Sequence, residues 1–282
     1  MVHGFRNHPA LRQRHSALST AVFGLDFEPW YQNGFWGWAY DPHALLLDGE
    51  IVSNVSVNWI DGQLDGQSRR YIQLGTVMTR EDCRGRGYNR RLMEAVLGSE
   101  YGCGGVFLYA NDSVLDYYPK FGFRAVREYR YRLELDGGEN AAQAVPMRTP
   151  EDWARFLKEK NARKSVGRLR LETDGLLMFY LTLFMRDTVF YLPDLDAYAV
   201  AKPDGETLTL YDVYARGAVG LPDVCRCFGP EVRHAEFAFT PQDTAGLEEY
   251  EYREEDTTLF IRGGSLAEDL RILRGFPELA HT

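Results

Sequence analysis

The stretch Thr76-Val77-Met78-Thr79-Arg80-Glu81-Asp82-Cys83-Arg84-Gly85-Arg86-Gly87-Tyr88-Asn89-Arg90-Arg91-Leu92-Met93 decides how this chain is read. Its first residues close an apolar run, Tyr71 to Thr79, that predicts a strand. Gly85 and Gly87 interrupt the chain, and from Asn89 to Leu97 the apolar spacing predicts a helix. A strand end, a glycine turn and a helix start together present backbone N–H groups that have no helical acceptor, and the helix dipole adds positive potential there. Such a place holds phosphate oxygens, with glycine letting the ligand approach the backbone closely. Arg84, Arg86, Arg90 and Arg91 concentrate positive charge in this segment, although the whole chain has 32 basic against 41 acidic side chains and a net charge of −9. The contrast favours an anionic ligand such as a pyrophosphate. A dinucleotide fingerprint is absent, because Arg90 stands where a third glycine would fall, and no Gly-Lys-Ser/Thr follows to make a P-loop. On these residues alone, an ordinary strand–helix turn with surface arginines is an equal alternative.

The flanking sequence predicts an α+β chain. A helix is expected from about His8 to Phe23, then an aromatic-dense segment from Phe27 to Tyr40 whose Gly and Pro content disfavours a long helix. His43–Leu47 and Ile51–Ile60 read as antiparallel strands joined at Asp48-Gly49. After the central helix come a strand over Gly104–Ala110, a short helix over Val114–Tyr118 and a strand region over Phe123–Leu135. The expectation is a mixed, mostly antiparallel sheet flanked by helices, followed by a second α+β domain. Asp136-Gly137-Gly138-Glu139-Asn140-Ala141-Ala142 is the linker candidate, dividing a domain over 1–138 from one over 143–282.

Downstream of the glycine turn lies Asn111-Asp-Ser-Val-Leu-Asp-Tyr-Tyr118-Pro-Lys-Phe-Gly122-Phe123. Arg84-Gly-Arg-Gly87-Tyr-Asn89 resembles the acetyl-CoA loop of the GNAT superfamily of N-acyltransferases, whose pattern is Gln/Arg-x-x-Gly-x-Gly/Ala. The Asn111–Phe123 segment resembles the family's second signature, an Asn followed by Tyr-x-x-x-Gly-Phe. The two occur in the family's order, bridged by the Gly104–Ala110 strand, and the resemblance spans roughly residues 8–135. Asn89 departs from it, standing where the family has Gly or Ala. Asn accepts unusual backbone dihedrals better than most residues.

The resemblance implies acetyl-CoA as cosubstrate. The backbone of Val77, Met78 and Thr79 would pair with the pantetheine arm. Arg84, Gly85, Arg86, Gly87, Tyr88 and Asn89 would cradle the pyrophosphate, and Asn111 would contact the CoA arm. It further implies direct attack of a neutral amine on the acetyl carbonyl, with Tyr118 near the thioester sulfur. A phenol with a pKa of about 10 suits protonation of a departing thiolate. Tyr118 packing as a core aromatic beside Phe121 and Phe123 is the plain alternative. For the base, Glu28, Glu81, His43 and Asp26 are available; Glu28 is the named candidate, set against a path through water with no single base. The aromatic segment is either core or a wall recognising an amine by cation–π contact.

The second half carries most of the acidity, with 17 basic and 24 acidic residues beyond position 140. The run Glu248 to Asp256 around Arg253 reads as a solvated acidic face, or as a surface attracting a cationic substrate. Met178–Phe184, Thr188–Leu192, Ala197–Lys202, Thr207–Tyr214 and Thr258–Ile261 are predicted strands. Thr207–Tyr214, Leu221–Phe228, Glu231–Thr240 and Thr258–Ile261 echo the strand–helix–strand order of the first half without its phosphate loop. Four scattered cysteines make neither a disulfide framework nor, at Cys225-x-Cys227, a zinc site, so no metal is expected. The bulk charge argues against nucleic acid as a partner. No apolar run is long enough for a membrane span, and Met1 to Arg14 has no apolar leader. The expected protein is a cytoplasmic N-acetyltransferase of a small primary amine, with a homodimer as the assembly to test. The alternatives are a CoA-binding regulatory protein without turnover and an acetyltransferase of protein amines.

Overall fold

The computed structural model describes residues 1–99, 101–137, 143–172 and 174–281. Two sheets with helices packed against them carry the chain, the α+β arrangement expected. The first sheet runs, in spatial order, Tyr40–Leu47, Glu50–Leu64, Gln67–Thr79, Val106–Ala110, Thr258–Arg262 and Arg124–Ala125. Its neighbours are antiparallel except Gln67–Thr79 and Val106–Ala110, which are parallel because the helix Tyr88–Leu97 crosses between them. The first hairpin closes at Asp48 and Gly49, both with positive φ, as a tight twisted turn demands.

The second sheet is ordered Glu248–Tyr252, Glu128–Glu134, His234–Phe237, Thr207–Ala215, Ala197–Asp204, Val189–Leu192 and Val145–Pro146. Here too one parallel pair, Thr207–Ala215 with His234–Phe237, is joined through a helix, Leu221–Arg226. The strand–helix–strand echo is therefore present in space, but Thr258–Arg262 does not belong to it. That strand lies in the first sheet, hydrogen-bonded between Val106–Ala110 and Arg124–Ala125. Leu169–Leu171 also pairs into the first sheet, while Glu128–Glu134 pairs into the second. The sheets thus exchange strands across the linker candidate, whose residues 138–142 lie outside the described residues. Linker composition reports local chain character, whereas strand pairing joins segments far apart in sequence.

Met178–Phe184 corrects one expectation: it lies mostly in a helix, Asp174–Leu183, not in a strand. A short apolar run buried on most sides carries no periodicity that separates the two structures. Most of its apolar residues are buried, including Leu177, Met178, Phe179 and Leu181.

Two apolar layers hold the first sheet. On one face Leu92, Met93 and Val96 of the central helix pack on Ile72, Leu74 and Leu108. On the other, Phe27, Trp30, Trp36 and Tyr40 pack with Phe107, Phe179 and Phe276. Phe27 stacks at 5.4 Å on both Tyr40 and Phe179, and Trp30 Nε1 donates to the Gly175 carbonyl at 2.9 Å. The aromatic segment is therefore core that fastens the first half to the second. Burying a large apolar side chain stabilises by roughly 2–3 kcal/mol, so these rings weigh heavily in joining the halves.

Candidate active site

Two local features open the first sheet beside the glycine turn. Thr76 has φ +41°, and the ladder to the preceding strand shifts register between Asn54 and Ser56. Positive φ is costly for a β-branched residue, so this bulge needs support. Tyr40 Oη lies 2.9 Å from Thr76 Oγ1, and Asn54 Nδ2 donates to the Thr76 carbonyl at 3.0 Å. The second feature is a parting of strands. Gln67–Thr79 and Val106–Ala110 pair only at Ile72–Val106 and Gln73–Phe107. Beyond Gln73, the edge of the Val77–Thr79 backbone that faces this gap has no strand partner among the described residues, and an extended ligand can add itself to such an edge. Met78 turns its side chain into a core with Phe5, Leu18 and Ile51, leaving its backbone for that role.

The glycine turn follows at once. Gly85 and Gly87 have φ +74° and +76°, and a Cβ at either would meet nothing within 4 Å. Both are thus exposed as well as left-handed, the conformation only glycine adopts cheaply. Gly87 is the helix N-cap and supplies no side-chain acceptor. Among the described residues, the N–H groups of Arg86, Gly87, Tyr88, Asn89 and Arg90 have no acceptor. This is the unfilled donor cradle expected of an anion site. Arg90 pairs with Glu94 at 2.8 Å, and Arg86 donates to the Asp82 carbonyl at 3.0 Å, so part of the local charge is already committed.

Asn89 points away from the cradle. Its Nδ2 donates to Ser53 Oγ and the Asn54 carbonyl, both at 3.3 Å, and its Oδ1 accepts from Tyr117 Oη at 2.9 Å. The departure from the family pattern is a rivet that fixes the helix start to the bulged strand, while its backbone N–H stays free.

Tyr118 is buried against Tyr117, Phe123 and Phe260. Burial raises its phenol well above the usual value, so it holds its proton throughout the neutral range. Its hydroxyl has no hydrogen-bond partner among the described residues, and the residue as a whole is 4% exposed. Asn111 Nδ2 is held by Asp256 Oδ2 at 2.9 Å, and Asp256 Oδ1 accepts from the Asp112 N–H at 2.7 Å. Glu28 is committed elsewhere: it accepts from Arg12 at 2.8 and 3.1 Å, and the guanidinium holds its carboxyl below the usual range. A carboxylate so paired is a poor proton acceptor.

A cleft of about 260 Å³ opens at the Tyr109–Asn111 end of the strand Val106–Ala110. Tyr109, Tyr180, Glu254, Asp256, Glu278 and His281 line it. The His281 ring lies 3.8 Å from that of Tyr109, tilted by 30°, and the His281 carbonyl accepts from Tyr180 Oη. Tyr109 Oη donates to Glu128 Oε1 at 3.0 Å, and burial pushes that carboxyl up to about 7. Sequence reasoning missed this group because its members come from five separate segments. The acidic run around Glu254 was the one visible signal.

A family model described as the acetyltransferase (GNAT) family matches residues 9–123. The N-terminal half is a GNAT domain. The match makes the chain an acyltransferase enzyme and covers both the glycine turn and the Tyr118 segment. No curated protein matches the chain by sequence. Among solved structures, a probable N-acyltransferase from Enterococcus faecalis V583 is similar at TM-score 0.59 and 10% identity, over 89% of this chain and 69% of that one. A GCN5-related N-acetyltransferase from Kribbella flavida is similar at 0.55 and 18%, over 89% and 69%. Eis1 from Mycobacterium abscessus is similar at 0.54 and 14%, over 90% and 70%. At these identities the likeness is one of fold, and it extends beyond the GNAT domain to both sheets. Among the described residues no helix is long and apolar enough to cross a membrane.

Proposed function

We propose that this GNAT protein transfers the acetyl group of acetyl-CoA to a primary amine of a small molecule. The carrying observation is the continuity of two unfilled backbone surfaces: the N–H cradle from Arg86 to Arg90 and the parted edge of Val77–Thr79 that leads to it. A pyrophosphate fits the cradle, where donors are free and glycine leaves room. A pantetheine arm carries amide groups that fit the free edge, and Asn111 stands at the end of the neighbouring strand. Acetyl-CoA supplies the activated acyl group.

The protein's own part is positional and protonic. The acidic cleft admits the acceptor beside the parted strands, where the amine, neutral after losing its ammonium proton to solvent, attacks the carbonyl directly. The proton its nitrogen then carries passes to solvent, which restores the proton that Tyr118 gives up. Tyr118, protonated at neutral pH, gives its proton to the departing thiolate. The domain over 1–138 carries the acyl-transfer site, and residues from 254–281 complete it.

Calorimetric titration with acetyl-CoA and with desulfo-CoA, followed by thiol-release assays on an amine panel, tests this reading. The expected result is micromolar binding of both and amine-dependent thiol release. Binding without release would point to a regulatory CoA-binding protein. Absence of binding would remove the loop assignment.

A further inference from the structure

The outer edge of the first sheet gathers two imidazoles and a carboxylate that acetyl transfer does not use. The segment ahead of the first helix lies along the edge strand Tyr40–Leu47, where Val2 and Ala44 exchange both backbone hydrogen bonds at 2.8 Å. Val2 packs with Phe5, Leu18 and Ile51, so the alternation of an extended chain turns His3 to the opposite face. Asp41 and His43, two residues apart in the edge strand, share a face. The His3 and His43 rings stack there with centroids 4.7 Å apart.

Hydrogen bonding accounts poorly for this group. Asp41 Oδ1 accepts from the Gly4 N–H at 2.7 Å. Asp41 Oδ2 stands 3.2 Å from His3 Nδ1 and 3.5 Å from His43 Nε2, the second distance past the range of a good N–H···O bond. His43 is 8% exposed, and its other nitrogen, Nδ1, has no partner among the described residues. A buried imidazole is thus left without a good hydrogen bond at either nitrogen. The same spacings suit a shared cation: ligand atoms each about 2.0–2.2 Å from a tetrahedral zinc ion stand about 3.3–3.5 Å from one another. All three donor atoms lie within 4.8 Å of one another, and among the described residues this is the one group of three such donors so placed. Two nitrogens and one oxygen suit zinc, whereas magnesium and calcium take oxygen.

We propose that His3, Asp41 and His43 form a zinc site, open to solvent at its fourth position, that clamps the segment Val2–Gly4 onto the sheet edge. The Gly4 N–H orients the carboxylate from behind. His3, with its side chain 58% exposed, has room to tilt out of its stack and bring Nδ1 to the ion. The donors come from both sides of the first helix and meet only in the folded chain, so binding stabilises the fold. The site is independent of the acetyltransfer reading.

Calorimetric titration with zinc chloride, and thermal unfolding of the full chain in zinc or in EDTA, test the site without any activity assay. The expected result is one zinc ion per chain at micromolar or tighter affinity. With zinc at about 100 times Kd, Tm rises by about 3 °C or more, and EDTA reverses the rise. Magnesium does neither. His3→Ala weakens zinc binding about tenfold or more and abolishes the rise. His234→Ala, at an exposed histidine of the second sheet, keeps both. The Val2–Ala44 pairing is made by backbone, so His3→Ala should melt in EDTA within about 2 °C of the unsubstituted chain. If it melts lower, Asp41→Asn decides by the same comparison. Absent zinc binding, binding that survives the deciding variant, or binding lost equally in His234→Ala would overturn the site.

Discussion

Tyr118 shows what one buried hydroxyl can be asked to do. It is enclosed by aromatic rings on three sides, its phenol is raised by that burial, and its oxygen has no partner among the described residues. Tyr118→Phe keeps every one of those ring contacts. Its expected effect is a fall in kcat of about 10²-fold or more with acetyl-CoA affinity nearly unchanged, measured by steady-state kinetics beside calorimetry. An unchanged kcat removes Tyr118 from the acid role. Both readings of this residue, acid and core aromatic, were open from the sequence, and the structure shows that the packing is real without consuming the hydroxyl. Glu28 illustrates the opposite case. Nothing in its local sequence announces that Arg12 will close on it, because the partner comes from the preceding helix.

The element that matters most is the turn into the helix Tyr88–Leu97. Its proposed function rests on what it lacks among the described residues: a side-chain cap, Cβ atoms at two left-handed positions, and acceptors for its first N–H groups. Gly87→Glu places a carboxylate over that cradle. CoA binding should weaken by at least about 100-fold in calorimetry, through charge opposition at the pyrophosphate. Because the new Cβ meets no neighbour within 4 Å, the cost to the fold is the left-handed backbone alone, about 1–2 kcal/mol, readable as a modest fall in Tm. Retained binding would sink the loop assignment. This element was legible in the sequence because its parts are contiguous. The helix Asp174–Leu183 was not, since burial on most sides erases the periodicity that distinguishes helix from strand.

At the scale of the molecule, the catalytic sheet is completed by the far end of the chain. Thr258–Arg262 is hydrogen-bonded along Val106–Ala110, and Phe276 stacks on Phe107 at 3.8 Å. A fragment of residues 1–138 would expose that inner strand edge and lose a core wall. It should fail to give a cooperative thermal transition or a dispersed NMR spectrum, whereas the full chain gives both; a folded, CoA-binding fragment would show that the interleaving is dispensable. The sequence by itself determined the strand–glycine turn–helix and the α+β class, because each rests on neighbouring residues and on backbone chemistry that acts over one or two turns. Tertiary structure alone decided where Glu254, Asp256, Glu278 and His281 meet Tyr109, that Glu28 is spent on Arg12, and that Thr258–Arg262 serves the first sheet. Those outcomes depend on pairings between segments from 16 to more than a hundred residues apart, and no local pattern of residues carries such distances.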